Sequence, residues 1–319
     1  MEDNAIGWTY PPIDLVIPWS GEQNSTDRRQ RDNDELRYAL RSLFKYAPWL
    51  RRIHILQNGD QPPPSFMELN DWVSVVDRCK LSTNASHCPT FNCHAVRTVI
   101  TKIPDLAEYF MLTSDDLFLT APSKPSHWFT ADGRPIVRSA YKPEPIYGKE
   151  YDPNIDRELL SKHPDWPTMK WSKFTHQIVP MRSSWVREFE AKHPGFNEWV
   201  QSHQRGYYGG GVIEEMNQIW LEYMKDRVEY RGWASPVDGT GLVSSTEAWC
   251  SFYGFPVDDI GWNLALLGYK VLNWGCRFRS INIQDAWGDE GVPEGFRVFL
   301  EELYPEKPPF EISKPRKQV

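Results

Sequence analysis

The chain has 319 residues, 40% of them hydrophobic and 14% aromatic, which is enough to bury a core as one large domain or two small ones. Charged residues are mixed along it without long runs of one sign, excluding a disordered or fibrous protein. A net charge of −7 argues against a general nucleic-acid binder, which carries a basic face, and means that any bound polyphosphate needs local Arg, Lys or a metal ion.

Residues 1–12 hold no apolar run of signal-peptide length, and no later stretch is long enough to span a bilayer. A cytoplasmic protein is the expectation, a lumenal one the alternative. Of the five cysteines, Cys79, Cys88 and Cys93 cluster while Cys250 and Cys276 lie far downstream. CxxC spacing is absent, which argues against structural zinc and for free thiols, with a lumenal disulfide as the alternative.

Residues 13–18 read as a short buried strand, followed by a polar loop over 21–33. Leu36, Leu40, Leu43 and Phe44 then recur at helical spacing, predicting a helix over 34–46. Residues 52–56 form the next expected strand, closed by the turn signal Asn58-Gly59, and 72–76 a third. After a loop, 95–103 reads as helix and 109–112 as a fourth strand ending at Ser114-Asp115-Asp116. Strand and helix in this alternation predict a parallel α/β sheet, whose ligands sit at the carboxyl ends of the strands.

The second half is less regular. Frequent Pro and Trp over 122–171 predict long ordered loops. Helices are expected over 183–192, 212–225 and 295–303, with Gly209-Gly210-Gly211 as a hinge or tight turn between the first two. A Pro-rich tail follows.

Ser114-Asp115-Asp116, at a strand's carboxyl end, suits a hard divalent cation bridging diphosphate oxygens. A turn or helix N-cap is the plainer explanation of such a pair. In Arg31-Asp32-Asn33-Asp34-Glu35-Leu36-Arg37, acidic residues in a first helical turn are ordinary capping, while a carboxylate base and a phosphate-gripping arginine are the functional alternative. His176 is more simply structural than catalytic when taken alone. Arg182 and Arg205 are phosphate ligands or surface arginines, and Trp19 stacks on a base or packs. No P-loop, Rossmann fingerprint, nucleophile elbow or zincin motif occurs.

The run from Arg31 to Ser42, then Tyr46-Ala47-Pro48-Trp49-Leu50-Arg51 and Asn58-Gly59, resembles the second block of the Stealth family nearly residue for residue. That family comprises bacterial capsular-polysaccharide phosphotransferases and the catalytic part of the animal N-acetylglucosamine-1-phosphotransferase. Pro89-Thr90-Phe91-Asn92-Cys93-His94-Ala95 and Ser114-Asp115-Asp116 continue the block, with Ser114 where the family usually has Asn. His176, Pro180 and Arg182-Ser183 are similar to the third block. Ile281-Asn282-Ile283-Gln284-Asp285, Phe299-Leu300-Glu301 and Tyr304-Pro305 resemble the fourth. The first block departs: Ile17-Pro18-Trp19-Ser20-Gly21 keeps the Trp but displaces or loses the polar residue that follows it, which bears on donor choice.

The resemblance implies a GT-A-like sheet in a single catalytic domain, with 13–120 binding a nucleotide-sugar and 121–311 completing the acceptor side. It implies transfer of a sugar-1-phosphate from a UDP-sugar, such as N-acetylglucosamine-1-phosphate, to a glycan hydroxyl, with release of UMP. Asp115, Asp116 and Asp285 would hold Mg²⁺ or Mn²⁺, with Asp115 also catalytic. Arg37 and Arg205 would take phosphate charge, and Asp32 or His176 the acceptor proton. Trp19, Asn33, Asn58 and Arg182 would contact the nucleotide-sugar. A glycosyltransferase releasing UDP and a non-catalytic glycan-binding module are the competing readings.

Overall fold

The structure, a computed structural model, describes residues 10–21, 33–90, 92–139, 178–202, 227–232, 280–282 and 294–312. Its centre is a five-stranded sheet. Strand β1 (Ile13–Trp19) leads to helix α1 (Glu35–Tyr46), β2 (Arg52–Gln57) and β3 (Val73–Asp77). Short helices α2 (Arg78–Leu81) and α3 (Cys93–Arg97) precede β4 (Tyr109–Leu112). After β5 (Leu117–Leu119) and β6 (Ile136–Ser139), β7 (Val179–Arg182) completes the sheet in the order β3-β2-β1-β4-β7. The pairings among β1 to β4 are parallel, and β7 runs antiparallel to β4.

Alternation along β1 explains the layering. Ile13, Leu15, Ile17 and Trp19 face one side and pack with Leu36, Leu40 and Leu43 of α1. Val16 faces the other, with Phe110 and Leu112 of β4 and Ala95, Val96 and Val99. Helices α4 (Ser183–Lys192) and α5 (Phe196–Ser202) cover this second face through Val186, Phe189, Phe196 and Val200. A sheet buried on both faces needs near-continuous apolar strands, as Ile53, Ile55 and Leu56 of β2 supply.

Two small sheets flank this core. Strand β6 pairs in parallel with β8 (Glu229–Gly232), and β5 pairs antiparallel with β9 (Ser280–Asn282). Helix α6 (Glu294–Leu303) returns the chain to α1. There the buried Arg41 donates to Glu311 through Nε and Nη2, and to Glu301 and the Tyr304 carbonyl through Nη1, at 2.7–2.8 Å. The Tyr304 hydroxyl donates to the Leu119 carbonyl at 2.9 Å, tying the C-terminal segment to β5 as well.

The expected strands are present, the third displaced by one residue. The helix expected over 95–103 breaks into α3 and a 3₁₀ turn, Ile100–Lys102. β-Branched residues crowd that stretch, and Thr98 Oγ1 donates to the Ala95 carbonyl at 2.7 Å, a local bond that competes with a continuing helix. Strand β7 contains Pro180, a residue that reads against a strand, yet β7 stands last in the sheet order, where Pro is tolerated. The region read as loops begins with a 3₁₀ turn, Pro125–His127, and β6. The helix expected over 212–225 and the glycine hinge lie outside the described residues.

Candidate active site

Parallel strands deliver their following loops to one edge, and that edge collects most of the candidate residues. Trp19 ends β1, Asn58 follows β2, Arg78 follows β3 and Ser114-Asp115-Asp116 follow β4. The amino end of α1 meets them there, because the helix runs back from the same edge. Asp34, left-handed at φ 67°, turns the chain into α1.

The electrostatic centre of this edge is Glu35, which the sequence showed only as an ordinary first-turn carboxylate. It is 8% exposed. Both oxygens accept hydrogen bonds from Asn33, Oε2 from the backbone N–H and Oε1 from the side-chain amide, each at 2.6 Å. Burial, and then the negative charge of Asp115, push its carboxyl up to about 8 despite the Asn33 bonds. Asp115 and Asp116 are both partly exposed, and the Ser114 hydroxyl donates to Asp116 Oδ1. Carboxyl groups gathered at one strand edge fit a divalent cation, whose charge would offset theirs. Among the described residues, no group of three or more His, Cys, Asp or Glu is gathered for a metal. Asp285, the expected third ligand, lies outside them, as do Asp32, His176 and Arg205.

Three expected donor contacts need correction. Trp19 is 4% exposed, its ring packed within the α1-side core, so it is structural and offers no free face to a base. Asn58 turns its carbonyl oxygen inward, where Oδ1 accepts from Arg78 Nε at 2.9 Å and from the Thr90 backbone N–H at 3.1 Å. It thereby ties three loops of the edge together. Arg182 is at the wrong end of the sheet. Because β7 is antiparallel, Arg182 pairs with Tyr109 at the amino end of β4, while Val179 pairs with Leu112 at the carboxyl end. Arg182 Nε donates to Glu108 Oε1 at 2.9 Å, and the guanidinium stacks over Tyr109 and Trp185.

Asn33 and Arg37 both lie at this edge. Asn33 is committed to Glu35, whereas Arg37 pairs with Asp34 at 3.3 Å and lies over the Phe66 ring, leaving Nε buried without a hydrogen bond. Arg78, which no sequence signal marked, is a further cation of the edge, 1% exposed. A cavity of about 510 Å³ runs beside β2 and β3, lined by His54, Ser74, Asp77, Lys80 and Gln61 among others. Asp115 and Asp116 do not line it.

Residues 29–137 match the family model described as Stealth protein CR2, conserved region 2. The chain is 30% identical over 210 residues to the exopolysaccharide phosphotransferase CpsY of Mycobacterium leprae, covering 64% of this chain and 38% of that protein. It is 35% identical over 179 residues to an exopolysaccharide phosphotransferase of Nocardia farcinica, covering 53% and 34%. With the capsular polysaccharide phosphotransferase LcbA of Aeromonas hydrophila it shares 32% over 165 residues, 50% of this chain and 45% of that one. The chain thus spans less than half the length of these relatives. Among solved structures, the galactosyltransferase LgtC with donor and acceptor sugar analogs aligns at 15% identity and TM-score 0.43, covering 95% and 98% of the two chains. The glycosyltransferase GlyE of Streptococcus pneumoniae aligns at 11% and 0.43, covering 92% and 60%. Among the described residues, no helix is long and apolar enough to cross a membrane.

Proposed function

Since residues 29–137 match conserved region 2 of the Stealth proteins, we propose that the chain is a sugar-1-phosphate transferase. An acceptor glycan hydroxyl attacks the sugar-linked phosphorus of a nucleotide-sugar, and the nucleoside monophosphate leaves. With a UDP-sugar the products are UMP and a sugar–phosphate–sugar diester, and N-acetylglucosamine-1-phosphate is one candidate group. The observation that carries this reading is Asp115-Asp116 at the carboxyl end of β4, facing the buried Glu35, within the segment shared with named polysaccharide phosphotransferases.

In this reading Asp115 and Asp116 hold Mg²⁺ or Mn²⁺, and the ion supplies charge neutralisation at the diphosphate. Asp285 is the proposed further ligand. Strand β9 runs towards the same end, Asn282 pairing with Leu117 just after Asp116, and Asp285 follows closely in sequence. Arg37 carries phosphate charge, and Arg205 is proposed for the same role. The protein's work is then mostly positioning, as phosphoryl transfer requires. Asp32 or His176 takes the acceptor proton; β7, which His176 shortly precedes in sequence, begins beside the carboxyl end of β4.

Incubation with a panel of UDP-sugars, a glycan acceptor and Mn²⁺ tests the reading. UMP release that requires acceptor supports phosphotransfer. UDP release points to a glycosyltransferase, and no turnover with any donor to a binding module.

A further inference from the structure

Arg78 is the anomaly of the carboxyl edge. It directly follows β3, is 1% exposed, and spends Nε on the Asn58 carbonyl oxygen at 2.9 Å. Its Nη2 is buried and has no hydrogen-bond partner. No salt bridge to it occurs among the described residues. Removing a guanidinium from water without a carboxylate or a full set of acceptors costs several kcal/mol, a cost that a partner arriving later would offset. If hydrogen bonding to Asn58 were its sole purpose, a neutral donor would serve at lower cost.

The surroundings favour an anion as that partner. Asn58 holds the guanidinium from the β2 side and the Thr90 N–H on the same oxygen, fixing Arg78 at the edge where a sheet of this type takes its ligands. Arg78 is also close enough to Cys79 for its charge to act on that thiol. The acids of the edge, Glu35 and Asp115, lie on the β1–β4 side, whereas Arg78 stands beyond β2, at the end of the edge strand β3.

We propose that Arg78 is an anion receptor, taking a phosphate oxyanion through its guanidinium fork. This rests on the phosphotransferase reading for its natural ligand, a phosphate of the nucleotide-sugar, while the chemistry applies to any phosphate. Arginine suits it because a planar fork meets two oxygens at once, which a lysine cannot do.

The test measures calorimetric binding of inorganic pyrophosphate, UDP and uridine to the wild-type chain, Arg78→Gln and Arg78→Lys, with Mg²⁺ present. Arg78→Gln is expected to weaken pyrophosphate and UDP roughly 10- to 100-fold, the loss of a hydrogen bond to a charged group, and to leave uridine binding unchanged. Equal pyrophosphate affinity in a folded Arg78→Gln overturns the proposal. If the glutamine variant does not fold, Arg78→Lys decides: affinity lowered several-fold supports the fork, and wild-type affinity overturns it. Arg78-dependent binding of pyrophosphate but not UDP assigns the site to free phosphate. Arg78-dependent binding without UMP release from any nucleotide-sugar removes the phosphotransferase reading and leaves the anion site standing. UMP release with Arg78-independent binding removes the anion site alone.

Discussion

Glu35 at the amino end of α1 is buried within reach of the charge of Asp115 at the carboxyl end of β4, and burial first, then that charge, keep the proton on Glu35. The consequence for stability has a definite sign. Unfolded, the Glu35 carboxyl titrates near 4.5; folded, at about 8. Between those values the folded chain keeps a proton that the unfolded chain releases, so stability falls as pH rises through the interval and levels off above it. At about 1.4 kcal/mol per pH unit the full loss is several kcal/mol. Glu35→Gln, which stays neutral throughout, is expected to show a flatter profile. Urea denaturation in chelator at intervals from pH 5 to 9 measures both, and parallel profiles would contradict the Glu35 assignment.

The Arg41 cluster predicts a stability effect distant from the chemistry. Arg41 is 2% exposed, and of its partners Glu311 is 4% exposed while Glu301 is 49% exposed. Arg41→Met leaves Glu311 buried with its charge unpaired, which costs about 3–5 kcal/mol. Adding Glu311→Gln should recover part of that loss, whereas adding Glu301→Gln should recover little, since Glu301 already reaches water. Denaturation midpoints of the three variants check the order. A full loss recovered equally by either second substitution would mean that burial does not decide the energetics of this cluster.

Much of this arrangement was legible in the residues. The short apolar strand runs and the helical spacing of Leu36, Leu40 and Leu43 between them pointed to the parallel core, and the carboxyl-edge rule then placed Asp115 and Asp116. What was not legible depended on pairing between distant segments. Strand β7 is short and carries Pro180, so nothing local marks it, yet its antiparallel direction alone sends Arg182 away from the site. Glu35 looked like a helix-capping acid because its burial and its neighbour Asp115 are tertiary facts. Arg78 gave no signal at all, since one arginine after an apolar strand is indistinguishable from a solvated one until its burial is known. Trp19 was recognisable as a residue but not as a core residue, because an aromatic at a strand end serves either role.

Metal binding has a readout that needs no turnover. If Asp115 and Asp116 hold Mn²⁺ or Mg²⁺, the ion should stabilise the folded chain by an amount that grows with the logarithm of its concentration, about 2.7 kcal/mol at a hundredfold excess over the dissociation constant. Asp116→Asn removes one anionic ligand and should abolish most of the metal-induced rise in melting temperature. In chelator its own stability should change little, because Asp116 is partly exposed. Chelator should also halt UMP release, and Mg²⁺ or Mn²⁺ should restore it. A variant that keeps the full metal-induced rise places the cation elsewhere.

Arg182 supplies the sharpest separation between residue resemblance and position. Its sequence context resembles the family's third block, but it sits at the amino end of β4, at the opposite end from Asp115 and Asp116. Its own work is visible there. Glu108 accepts from Arg182 and from the Ser183 and Ser184 hydroxyls, and these bonds hold its carboxyl below the ordinary range although burial acts the other way. Arg182 thus joins β7 and the start of α4 to the end of the core strand. Arg182→Ala should cost about 1–3 kcal/mol by removing the charged donor of the Glu108 carboxylate and the guanidinium from Tyr109 and Trp185. Donor affinity and UMP release per folded molecule should stay within a few-fold of wild type, because Arg182 is too far along the sheet to touch phosphate. Thermal denaturation, UDP binding and turnover on the same preparation test this together. Loss of UDP affinity at unchanged stability would return Arg182 to the nucleotide site and overturn the antiparallel placement of β7.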